Sequence, residues 1–112
     1  MEEQKIVEVC MAHLIRAIHT GRDIEAVSGD HLTQATIITP ILILGCDLLA
    51  PSKRFDGVAR EMASYAMQYS YCIAESHAGS VNKVSPLTDE LERFVCDVMA
   101  SDCREIASPT LQ

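Results

Sequence analysis

Cysteine and histidine are the side chains of this chain best able to do chemistry, and it carries five of the first and four of the second. Cys10 and His13 stand three apart, which places two possible metal ligands on one face of a helix. A zinc site usually needs four ligands, commonly from two such pairs, and no second pair follows, so no metal ligand is assigned. Cys96 and Cys103 stand seven apart. On a helix that is two turns, or about 10 Å along the axis, too far for one disulfide. A nucleophilic thiol needs a nearby base or a helix N-terminus, yet every cysteine falls in the middle or second half of its expected helix. His13, His19, His31 and His77 lie beside no recognisable catalytic signature, and no glycine-rich phosphate loop occurs. The expectation is a chain that is not an enzyme, with no catalytic residue, metal or cofactor. An odd number of cysteines with no CxxC pair, behind a Met1-Glu2-Glu3 start that lacks a basic leader, points to free thiols in a reducing, cytoplasmic setting.

Charge narrows the partners. The net charge is −7 and the nine basic residues are scattered, the tightest group being Lys53, Arg54 and Arg60. Nucleic-acid affinity depends on Lys and Arg neutralising phosphates, so no nucleic acid is expected. The apolar run from Ala35 to Ala50 contains Asp47 and falls short of the roughly 20 residues that cross a bilayer, so no membrane partner is expected either. At 112 residues with 48% hydrophobic content, the chain suits one helical domain over 1–107, with 108–112 as a frayed tail. Aromatic residues make up only 4%, which leaves the core to Leu, Ile, Val, Ala and Met.

The elements that must position these residues read as an all-α, four-helix antiparallel bundle. The first helix is expected from Glu2 to His19, because Val7, Cys10, Met11, Leu14 and Ile18 follow one helical face. Thr20 and Gly21 look like its stop, and Arg22 to Gly29 like a connector. Asp30 is placed as N-cap of a second helix, His31 to Ala50. The β-branched cluster Thr36, Ile37, Ile38, Thr39 and Ile41 suits a strand, but Pro40 cannot donate to a ladder. Pro40 also removes a helical hydrogen bond, so a helix kinked or broken at that residue is expected. Only Thr33, Thr36 and Asp47 form a polar stripe on it, the pattern of a buried helix.

Pro51 and Ser52 make a tight connection to a third helix, Lys53 to His77. Phe55, Val58, Met62, Tyr65, Tyr69, Cys72 and Ser76 repeat at alternating spacings of three and four, a coiled-coil-like seam. Ala59, Ala63, Ala66, Ser70 and Ala74 run beside it, small enough for a neighbouring backbone to come close. Tyr71 projects from the polar side, where an exposed tyrosine can anchor an interface. Gly79 is read as the stop and Ser80 to Ser85 as a loop. Ser85 and Pro86 then open a fourth helix from 86 to Ala107 as N-cap and first position.

The middle two helices carry more apolar circumference than two flanking helices readily cover, and two-fold pairing is the commonest way to cover such a surplus. A homodimer is therefore expected, together with a second protein partner. Phe55, Val58, Met62, Tyr65 and Tyr69 are the candidate interface, and Asp102 and Glu105 are placed to meet Arg or Lys of a partner. The reading is a non-enzymatic regulator that acts by stoichiometric protein–protein binding, of the inhibitor, antiactivator, adaptor or secretion-chaperone type. Two alternatives are a small-molecule binder with a pocket between the second and third helices or at the dimer seam, and a metal- or thiol-dependent sensor.

Overall fold

The computed structural model describes residues 2–77 and 83–107, the side chains of His77 and of 102–107 excepted. It holds four helices, α1 (Glu3–Ser28), α2 (Thr33–Leu49), α3 (Asp56–His77) and α4 (Val84–Ala107), with no strand among the described residues. The expected stop at Gly79, the first part of the 80–85 loop and the 108–112 tail lie outside the described residues.

α1 is longer than its periodicity suggests. It passes through Thr20 and Gly21 and ends at Gly29, whose φ of 76° is left-handed and whose N–H donates to the Glu25 carbonyl at 2.8 Å. Gly21 is not a stop but a point of close approach. A Cβ there would lie 3.1 Å from the Cα of Gln34, so α2 can sit this near only because the side chain is missing. The added turns are held by tertiary partners, which periodicity cannot see. Arg22 donates to Asp89 at 2.7 Å and to Glu92 at 2.8 Å on α4. Glu25 accepts from the buried Gln34 side chain.

Asp30 acts one step before the helix it was expected to cap. Its Oδ1 accepts the Leu32 N–H at 2.9 Å and shapes the turn from which α2 starts at Thr33. α2 then runs through Pro40 as one element, so the broken form is not adopted. The carbonyl that loses its partner belongs to Thr36, an exposed residue that water can reach. The Thr36 and Thr39 hydroxyls donate back to the Leu32 and Ala35 carbonyls, at 3.0 and 2.6 Å.

Residues 53–55 form a turn rather than helix. The Ser52 hydroxyl accepts the Phe55 N–H at 3.0 Å, and α3 begins at Asp56. α4 begins at Val84, ahead of Ser85-Pro86, and Pro86 falls where a helix N–H has no intrahelical partner anyway.

α2 packs against α1, α3 and α4, while α4 closes on α1 and α3, an arrangement compatible with a helical bundle. The core is aliphatic, with Met11, Leu14, Ile18, Ile38, Leu42, Leu49, Met62 and Leu91 fully buried. Phe55 and Tyr69 are its buried aromatic members, and the Tyr69 hydroxyl lies 2.8 Å from that of Thr88. Thr88 gives its proton to the Val84 carbonyl at 3.0 Å, so Tyr69 is the donor of the pair. Burial pushes the Tyr69 hydroxyl far above the usual tyrosine range, and it stays protonated.

Candidate functional site

The seam of α3 is gathered on one face as its spacing requires, and that face points into the chain itself. Phe55, Met62 and Tyr69 are buried in the core, with the end of Met62 filling the space over Gly45 of α2. Val58 and Tyr65 are half-buried at its edge. The Tyr65 ring lies 5.5 Å from that of Phe94 on α4, and its hydroxyl donates to the Glu90 carbonyl at 3.4 Å. These five side chains are thus largely occupied by internal packing, because α4 covers the side of α3 that α2 leaves open. The side chains of Asp102 and Glu105 lie outside the described residues.

The apolar surface left over lies further round the same two helices. Ile43, Leu44 and Leu48 of α2, with Met67 and Tyr71 of α3, are each between 50% and 66% exposed. Between the helices runs an open groove of roughly 540 Å³, lined by Ile43, Cys46 and Asp47 on one side and by the α3 side chains from Ala63 to Ala74 on the other. Its shape follows from side-chain size. Ala63, Ala66, Ser70 and Ala74 form a low wall, and Met67 and Tyr71 stand up from it. A second depression over Pro40 shares Ile43 and Asp47 with the groove and adds Thr36, Leu44 and Ile73. From Thr36 to Asp47 the strip extends about 16 Å at 1.5 Å per residue. Asp47 is the one charged residue in either lining.

Of these residues only Tyr71 was weighed as a surface anchor from the sequence. The signal for the others was α2 itself, apolar on nearly every side; burial all round was the natural reading, and the helix is instead open on its outer face.

Cys10, Cys46, Cys72 and Cys96 are free thiols. Burial pushes the Cys10 and Cys72 thiols up, and Glu75 raises Cys72 further against the opposing charge of Lys83, so both disfavour the nucleophilic thiolate. No group of three or more His, Cys, Asp or Glu side chains among the described residues is placed to hold a metal ion. The strongest electrostatic cluster is structural. Arg22 joins α1 to α4 through Asp89 and Glu92, with His19 3.8 Å from Glu92. No helix among the described residues is long and apolar enough to cross a membrane. Comparison with protein-family models, curated proteins and solved structures found no match to the chain.

Proposed function

We propose that the chain acts without catalysis, by stoichiometric binding of another protein, and that the α2–α3 groove is the surface it uses. The observation that carries this reading is the continuous apolar strip from Thr36 to Asp47 of α2 beside Met67 and Tyr71 of α3. Contiguous exposed apolar surface is costly to leave in water, and it marks interaction sites in folded proteins. An inhibitor, antiactivator, adaptor or secretion chaperone works in this way. Free thiols fit a reducing, cytoplasmic setting.

The antiparallel reading of the bundle belongs to the same proposal. Gly21 lies against Gln34, whereas Cys10 lies near Gly45, so α1 and α2 pair in opposite order. Tyr69 meets Thr88 and Glu75 meets Lys83, so α3 and α4 do the same.

A small-molecule site is the second reading, favoured by the groove's position between α2 and α3. Its open walls suit a macromolecule better, since ligand sites bury most of the ligand's surface. Homodimerisation is a further proposal, moved from the filled α3 seam to the outer face with Leu44 and Leu48. Light scattering at micromolar concentration then gives twice the 12.3 kDa chain mass.

Affinity capture from the native host tests the leading reading, comparing the wild-type chain with an Ile43→Glu, Met67→Glu double variant. A partner recovered at near equal amounts with the first and lost with the second, at unchanged helix content, supports the groove. A partner retained by the variant refutes it.

A further inference from the structure

We propose that the occupant of the α2–α3 groove is a basic amphipathic helix of a partner protein, held in register by a Lys or Arg that pairs with Asp47. This rests on the reading of the groove as a protein-binding surface and adds the chemistry of what it binds. Three observations carry it.

The first is charge. Asp47 is shared by the groove and the depression over Pro40, it is the one charged side chain in either lining, and no described cation pairs with it. Covering this strip removes water from Asp47, which is costly unless a cation arrives with the cover. The net charge of −7 works in the same direction, drawing basic partners and repelling acidic ones.

The second is shape. The low wall of Ala63, Ala66, Ser70 and Ala74 lets another helix come close, and Met67, Tyr71, Ile43 and Leu44 stand at the sides to receive its apolar residues. The third is length. A strip of about 16 Å accepts roughly twelve helical residues, three turns with anchors at i, i+3 or i+4, i+7 and i+11.

A second copy of this chain fits less well. Two-fold pairing joins two chains of charge −7, whereas a basic partner is drawn to the same surface.

The test uses two synthetic fluorescein-labelled helical peptides of about 18 residues, long enough to hold helical structure. Both carry leucine at the anchor spacing on an Ala/Gln background; one has Lys flanking the leucine row and the other Glu. Each is titrated by fluorescence anisotropy against the wild-type chain, Asp47→Lys and Ile43→Glu, whose folding is checked by circular dichroism and melting. The expected result is that wild type prefers the Lys peptide by about tenfold or more, that Asp47→Lys cancels or reverses this preference, and that Ile43→Glu binds neither.

If Asp47→Lys keeps the full preference while Ile43→Glu binds neither peptide, the pairing with Asp47 is overturned and the groove reading stands. Binding of both peptides to Ile43→Glu overturns the groove reading as well. Failure of wild type to bind either peptide overturns the basic-helix occupant. If wild type is then a dimer that Ile43→Glu dissociates, the occupant is a second copy.

Discussion

The two faces of α2 are built from the same residue types and have opposite fates. Ala35, Ile38, Leu42 and Leu49 are sealed against α1, α3 and α4, whereas Ile43, Leu44 and Leu48 are half in water. Nothing in the chemistry of leucine separates Leu42 from Leu44; a rotation of two residues about the helix axis does. The inner face stabilises the fold by burial, at about 25 cal/mol per Å² of apolar area. The outer face contributes little to the fold and remains available for binding. An apolar helix is therefore no guarantee of a buried one, because α1, α3 and α4 all pack on the inner side of α2 and leave Ile43, Leu44 and Leu48 uncovered.

The sharpest way to break this contrast is to truncate both faces and compare them by denaturant midpoint. Leu42→Ala should cost about 2–5 kcal/mol, the range for a fully buried leucine. A loss below about 1 kcal/mol would mean that the inner face is looser than its burial implies. Gly21→Ala comes next. Its Cβ would press on the Gln34 backbone, which cannot swing aside as a side chain can, so a net cost of up to about 2 kcal/mol should remain after the helix-propensity gain of about 1 kcal/mol. Stabilisation by this change would show that α1 and α2 do not meet so closely.

Tyr69→Phe should cost about 0.5–1.5 kcal/mol, since it removes one buried hydrogen bond while Thr88 keeps its bond to Val84. Arg22→Ala should cost no more than about 1 kcal/mol, because its carboxylate partners are a third exposed or more and screened by solvent. It also tests pH dependence. The hydrogen bond from Arg22, with the charges of Arg22 and His19, holds the Glu92 carboxyl below its ordinary value against the effect of burial. A depressed folded value means that the stabilisation is complete above the ordinary 4.5 and is lost as pH falls through the lower folded value. Wild type should lose more stability than Arg22→Ala across that acid window; equal losses would remove Glu92 from the account.

The smallest effects are expected at the outer face, where Leu44→Ala and Leu48→Ala should stay within about 0.5 kcal/mol. Either one matching Leu42→Ala would end the distinction between the two faces. Their effect should appear instead in partner capture.

How much of the site was legible follows from this geometry. The small row from Ala59 to Ala74 was visible as spacing, and from Ala63 onward it forms one wall of the groove, while Ala59 is buried in the core. Tyr71 was visible as a large ring on a polar face. Phe55, Met62 and Tyr69, expected at an interface, are buried within the chain itself, because a seam at coiled-coil spacing says that something packs on it, not whether that something is another chain. Here α2, through Gly45, and α4, through Thr88 and Phe94, supply the cover.

Local spacing and charge were enough to specify the helical class and the number of helices. Those properties depend on residues close in the chain, where periodicity and dipoles act. The length of α1 and the choice of which apolar face stays wet were settled only by packing. Each depends on a contact between distant residues: Gly21 on Gln34, Arg22 on Glu92, Met62 on Gly45. No local pattern encodes such a contact, since its energy exists only when the helices have met.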